Sequence, residues 1–120
     1  MTMSTLATID QFNQAFNQHD VDAVMALMTA DCIFENTYPG PDGTRYQGQA
    51  TVRQYWAEFF NESPQSVFEA EEIFVHEDRG VVRWIYRWVD AETKPGHVRG
   101  VDIMRVQDGK VAEKLSYVKG

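Results

Sequence analysis

The feature that most constrains this chain is its closing stretch, Val98 to Gly120, in which two alternating runs flank Gln107-Asp108-Gly109-Lys110. Asp-Gly between alternating runs is a strong hairpin signal, because Gly109 accepts the positive φ that such turns require. Side chains alternate with period two along a strand. Gly100, Asp102 and Met104 therefore face one way, and Val101, Ile103 and Arg105 the other. The first of these faces carries a glycine, an acid and a methionine in a row, and we expect it to look into a pocket.

Composition narrows the class. At 120 residues the chain forms one domain, 1–120, with a single core. Hydrophobic content of 43% suits a globular protein, as does a mean hydropathy of -0.43. No run approaches the ~18 apolar residues of a membrane span. The N-terminal MTMSTLATIDQF lacks the basic start and apolar block of a signal peptide, so a cytoplasmic location is the default expectation. A net charge of -7 argues against nucleic acid or an anionic membrane as partner, since both need a basic face. The single Cys32 forms no internal disulfide and reads as a small buried apolar residue. No cluster of His, Cys and acids has metal-ligand spacing, and no Gly-rich phosphate loop follows a strand. No metal and no cofactor are therefore expected.

Taken in order, Ser4 to Gln18 reads as a helix, with Leu6, Ile9, Phe12, Ala15 and Phe16 at helical spacing. Thr8 and Gln11 can form a capping box if that helix starts late. Asp20 or Asp22 can cap a second helix that carries Val21, Val24, Met25 and Met28 and ends near Ala30. Cys32 to Asn36 is a short strand, and Thr37 to Thr44, dense in Pro and Gly, is a loop. With Tyr38 and Tyr46 at its edges, this loop can sit over a cavity. Gly48 to Asn61 is a third helix, with Val52, Tyr55, Trp56 and Phe59 on one face, stopped by Glu62-Ser63-Pro64.

From Ser66 onward the chain reads as strands, beginning with Val67–His76 and Val81–Val89 around Glu77-Asp78-Arg79-Gly80. A turn with Gly80 in the left-handed position pairs Glu77 with Val81. That register sets Glu71 opposite Arg87, Phe74 opposite Trp84 and Glu72 opposite Tyr86, and puts His76 on the inner face. Residues 91–96 form a further turn before the closing hairpin.

The expected architecture is α+β: a strongly curved antiparallel sheet wrapped around three helices, leaving a conical cavity. By parity its lining includes Phe34, Asn36, Val82, Trp84, Tyr86, Trp88, Gly100, Asp102, Met104, Lys114 and Ser116. The outer face, with Glu71, Arg83, Ile85, Arg87 and Val89, is flat and partly apolar, and suggests a homodimer.

This order, with Phe16-Asn17-Gln18-His19-Asp20-Val21-Asp22, Tyr46-Gln47-Gly48-Gln49-Ala50, Gly100-Val101-Asp102 and Val106-Gln107-Asp108-Gly109-Lys110-Val111, resembles the nuclear transport factor 2-like superfamily. More narrowly it resembles the SnoaL-like group, which includes ketosteroid isomerases, limonene epoxide hydrolases and polyketide cyclases. The resemblance implies a cystatin-like α+β cone over nearly the whole chain. It does not imply one activity, because the fold hosts many. The three isomerase positions, a tyrosine and two aspartates, match Phe12, Asn36 and Asp102 here, so only the last acid is kept. The epoxide hydrolase positions match Phe34 and Asn36, Gly100 and Asp102, then Ser116, which keep the asparagine and one aspartate. For the polyketide cyclases, Asp102 is the nearest counterpart of the cavity aspartate.

Asp102 and Asn36 are therefore the candidate catalytic residues. Phe34, Tyr38, Trp84, Tyr86, Trp88, Met104, Lys114 and Ser116 are the candidate ligand contacts. A carboxyl group in an aromatic cavity loses hydration, which raises its pKa and fits it for acid–base work. Against this, a three-residue closing turn places Lys114 opposite Asp102, and an ion pair there makes the acid structural. Asn36 can orient a water or carbonyl, or simply bond backbone at the strand end. Trp84, Tyr86 and Trp88 can wall a pocket or fill a core. A His76–Asp102 relay is a further option. Three readings stay open: a cofactor-free isomerase, cyclase or hydrolase acting on a small, mostly apolar cyclic molecule; a protein that binds such a molecule without turnover; and a dimerisation module.

Overall fold

A computed structural model describes residues 4–90 and 92–120. The element order is α1 (Thr5–Asn17), α2 (Val21–Ala26), β1 (Met28–Glu35), β2 (Arg45–Gln47), α3 (Gln49–Glu62), β3 (Val67–His76), β4 (Arg79–Val89), β5 (Pro95–Gln107) and β6 (Lys110–Val118). One sheet takes the order β2-β1-β6-β5-β4-β3. It is antiparallel except where β1 runs parallel to β6. The expected antiparallel sheet is thus found, with one parallel pair. The helices cover the inner face and bury Ile9, Phe12, Val24, Val52 and Trp56 against Val82, Met104 and Val111.

The helix starts follow from their caps. Ser4 caps α1 by accepting from Ala7 N, so the helix starts early and the Thr8 hydroxyl bonds the Ser4 carbonyl instead of capping. Asp20 caps α2 through Ala23 N. That helix stops at Ala26 and not near Ala30, because the chain is drawn into the sheet. Val111 N donates to the Leu27 carbonyl, and Gln49 Nε2 reaches the carbonyls of Met25, Met28 and Thr29. These partners lie far away in sequence. Tyr46, at the edge of the 37–44 loop, belongs to the three-residue strand β2, paired with β1.

The β3–β4 register differs from expectation. The turn is Glu77-Asp78, with Glu77 taking a φ of +55°. Phe74 pairs with Val81, Glu72 with Arg83, Tyr86 with Phe68 and Trp84 with Ala70, with an irregularity between Ala70 and Glu72. Gly80 lies on β4 and is small for another reason: a Cβ there would fall 2.3 Å from Ile9 Cδ1. The irregularity after Ala70 turns Phe74 and His76 out to solvent, while Phe68, which precedes it, faces the core beside Tyr86. The charges settle accordingly, as Arg83–Glu72, Arg87–Glu69 and Arg99–Glu71. On the outer face these cover Ile85, whose cross-strand neighbours are Glu69 and Arg99 and which is 3% exposed. Of the turn expected over residues 91–96, Ala91 lies outside the described residues; Asp90 and Lys94 close the loop and β5 starts at Pro95.

The closing hairpin turns on Asp108-Gly109, with φ of +53° and +75°. This is a two-residue turn, not the three-residue one considered above. Together with an irregularity between Arg105 and Val106, it sets Ser116 opposite Asp102 and Lys114 opposite Met104.

Across β4 and β5, Trp84 faces Gly100 and Trp88 faces Gly96. A Cβ at Gly96 would fall 2.6 Å from the Trp88 ring, and one at Gly100 would fall 2.7 Å from the Trp84 ring and 2.1 Å from the Tyr117 carbonyl oxygen. Each indole thus lies over a glycine, which fixes how far it stands into the concave side. Gly100→Ala should lower stability by roughly 1–3 kcal/mol through overpacking. Urea unfolding measures that loss, and near-UV circular dichroism should show a displaced tryptophan.

Candidate functional site

Sheet and helices enclose a cavity of about 850 Å³ that opens to solvent. This is the size range of small-molecule sites. Its wall includes Phe34, Asn36, Trp84, Tyr86, Trp88, Lys114 and Ser116, as expected from parity. Two expected contacts are corrected. Tyr38 is 78% exposed on the loop and is not part of the wall. Met104 is fully buried beneath the wall, opposite Lys114 and Gly80.

Asp102 is also fully buried and does not form the wall. Ser116 Oγ donates to its Oδ1 at 2.7 Å, and Lys114 Nζ stands 3.0 Å from its Oδ2. Lys114 donates to Ser116 Oγ at 3.1 Å and is 6% exposed. The ionic contact lacks hydrogen-bond alignment, so Oδ2 has charge compensation but no hydrogen-bond donor. The Lys114 ammonium also lies 5.2 Å from the Phe34 ring centroid and 5.7 Å from that of Phe16. Aromatic faces attract a cation at such distances. Of the two arrangements considered for Asp102, a free desolvated acid and an ion pair with Lys114, the fold builds the ion pair. Asp102 sits behind Lys114 and Ser116, and these two present the polar surface of the cavity floor.

Asn36 has a structural task. Its Oδ1 accepts from Thr44 N at 2.7 Å and Tyr38 N at 3.3 Å, pinning the 37–44 loop to the end of β1. Gly43, with a φ of +73°, lets that loop close, because a Cβ would fall 2.0 Å from the Asn36 carbonyl oxygen. The Asn36 side chain also meets Tyr55. Burial pushes the Tyr55 phenol up from its ordinary pKa, and the hydrogen bond with Asn36 pulls in the opposite sense. His76 is exposed beside Glu77 at the hairpin tip, so no relay to Asp102 forms. His19 stacks on Phe60 and bonds the Ser66 carbonyl at 3.0 Å.

The helices supply wall residues that strand parity could not find: Phe16, Tyr55, Trp56 and Phe59. Phe68, inward on β3 by the same alternation, joins them. An apolar helical stripe looks the same whether it meets core or cavity, so the sequence carried no signal to separate the two. The aromatics touch in a chain: Phe34–Trp56 at 4.7 Å, Tyr46–Tyr55 at 4.9 Å, Phe59–Tyr86 at 5.7 Å and Tyr86–Trp88 at 5.8 Å between centroids. Exposed acids, Glu62 and Asp90, stand at the rim. Among the described residues, no group of His, Cys, Asp and Glu is placed to hold a metal ion.

The SnoaL-like domain family matches residues 9–114. The chain belongs to that family. An NTF2-like protein of unknown function from Mesorhizobium loti is similar over 97% of this chain and 91% of its own, at 40% identity and a TM-score of 0.81. TerC, co-crystallised with polyporic acid, shares the fold at 16% identity and a TM-score of 0.82, covering 96% of this chain and 91% of its own. A proposed SnoaL-like polyketide cyclase from Shewanella putrefaciens does so at 12% identity and a TM-score of 0.83, over 95% of this chain and 79% of its own. Comparison with curated proteins gives no match. Among the described residues of this SnoaL-like domain, no helix is long and apolar enough to cross a membrane.

Two outcomes test the site. Lys114→Met strands a buried carboxylate and should cost roughly 3–5 kcal/mol in urea unfolding, whereas Asp102→Asn with Lys114→Met should recover most of that loss. Spectrophotometric titration should show one tyrosine ionising above the ordinary ~10, a component that Tyr55→Phe removes. The sign follows from the raised pKa: the stabilisation is present below the ordinary value and is lost as pH rises through the elevated one.

Proposed function

We propose that this SnoaL-like domain binds a small, mostly apolar cyclic molecule in its cone. The observation that carries the reading is the cavity itself: about 850 Å³, walled largely by aromatic rings, with Lys114 and Ser116, held from behind by Asp102, at its floor. Such a combination suits a ligand whose rings stack on the wall while one polar group meets the floor. The polyporic acid co-crystallised with TerC, which has the same fold, agrees with a ligand in this class.

A second reading, turnover without a cofactor, is favoured by the Asp102 Oδ2 that lacks a hydrogen-bond donor, since incomplete satisfaction of a buried carboxylate occurs at functional sites. In that reading Lys114 polarises the ligand and Asp102 acts through Lys114 and Ser116. Isomerase, cyclase and hydrolase chemistry can each begin from such polarisation of a ligand oxygen, and the proposed polyketide cyclase from Shewanella putrefaciens has the same fold.

Quenching of tryptophan fluorescence by a panel of cyclic ketones tests binding, because Trp56, Trp84 and Trp88 line the cavity. Saturable quenching that is lost in a cavity-filling variant, Ser116→Phe, is the expected result. Absence of binding across the panel would leave the cone an imperfectly filled core and favour the module reading. Turnover is tested separately, by exchange of ketone α-protons in heavy water. Exchange that Asp102→Asn abolishes without weakening binding supports catalysis; binding without exchange leaves the protein a carrier.

A further inference from the structure

We infer that Lys114 binds the oxygen of a neutral ring ketone, and that the cavity discriminates against carboxylates of the same shape. This rests on the proposed small-molecule pocket and adds what the ligand must present to the floor.

An ammonium has three N–H donors. Ser116 Oγ takes one at 3.1 Å, and the contact with Asp102 Oδ2 is ionic without hydrogen-bond alignment. Among the described residues, these are the polar partners of Lys114. At least one N–H is thus left for the cavity whose wall Lys114 forms. Ser116 cannot supply a competing donor, because its hydroxyl proton is committed to Asp102 Oδ1 at 2.7 Å. The floor therefore asks for an acceptor.

Charge decides which acceptor. Asp102 neutralises Lys114, and both are almost wholly removed from water. A carboxylate placed there would bring a second negative charge to a cluster that holds one cation, and among the described residues the wall offers no further cation to meet it. The other charged groups of the wall are Glu62 and Asp90 at the rim, so an anion is also repelled on its way in. A neutral carbonyl meets neither cost. It accepts from an ammonium whose position is fixed by Asp102, Ser116 and the faces of Phe16 and Phe34. Charge-assisted hydrogen bonds of this kind are about twice as strong as neutral ones.

The test uses three probes on one ring system, 2-tetralone, tetralin and tetralin-2-carboxylate, with the full chain and with the charge-neutral double variant Asp102→Asn with Lys114→Met. The double variant avoids the stranded carboxylate that Lys114→Met alone would leave. The ketone should bind roughly 10- to 100-fold more tightly than the hydrocarbon, the range of a hydrogen bond to a charged group. The carboxylate should bind no better than the hydrocarbon. In the double variant the ketone should fall to the hydrocarbon's affinity while tetralin changes by less than about twofold, a small margin on the affinity scale. The infrared carbonyl stretch of bound tetralone should be lowered in the native chain and not in the double variant, a signature that a merely structural Lys114 would not produce. Equal binding of ketone and hydrocarbon in both proteins would overturn the role of Lys114 and leave the pocket intact. Tightest binding by the carboxylate would overturn the neutral-ketone class. Failure of all three probes to bind would overturn the pocket reading, and this inference with it.

Discussion

A carboxylate with no contact with water must be compensated where it stands, and that requirement at Asp102 governs the closing hairpin and the cavity floor. Asp102 sits between apolar neighbours on β5, and its compensation comes from two residues of β6 on the same face. Taking a buried pair out of water is expensive, and the mutual attraction repays this only when further polar contacts complete it. Here Ser116 bonds both members and the rings of Phe16 and Phe34 flank the cation. The stability gained over an apolar replacement is small by this reasoning. The pair instead fixes the register: a slip of one residue would turn Lys114 and Ser116 away from Asp102.

The tryptophans give the cavity its shape. Trp84 and Trp88 are four apart on β4, and Gly100 and Gly96 are four apart on β5, each glycine receiving one indole. Only a residue without a Cβ permits that approach. Helix α3 closes the opposite side with Tyr55, Trp56 and Phe59. The polar cluster then lies at the foot of an aromatic wall, where an electrostatic contact with a ligand is stronger than it would be in water.

Much of this was legible in the sequence, and the misses share one cause. Local signals placed the helices: the cap at Asp20, the stripe from Ile9 to Phe16, and the stop at Ser63-Pro64. The Asp-Gly turn and period-two alternation put Phe34, Trp84, Tyr86, Lys114 and Ser116 on one face. Partners remote in sequence did what local pattern could not show. Gln49 and Val111 end α2 early, and Gly80, a turn residue by local pattern, lies on β4 against the tip of Ile9. With the turn moved to Glu77-Asp78, β3 shifts and carries an irregularity after Ala70, so Phe68 stays on the inner face and Phe74 leaves it. At the site, alternation showed that Asp102 shares a face with Lys114. It could not show that Lys114 stands between the acid and the cavity, because that depends on side-chain reach across a diagonal pair. The glycine and tryptophan spacings were present in the sequence and become meaningful once the β4–β5 register is known.

The central claim is that Lys114 is a charged ammonium locked to Asp102 at the cavity floor. Nitrogen-15 NMR of the lysine side chains in the ligand-free protein tests it most directly, with Lys94, Lys110 and Lys119 as internal references. The account predicts one ammonium resonance protected from exchange with water, assigned to Lys114 and perturbed by Asp102→Asn, while the other three exchange freely. Exchange at Lys114 as fast as at those three, or a resonance indifferent to Asp102→Asn, would contradict it.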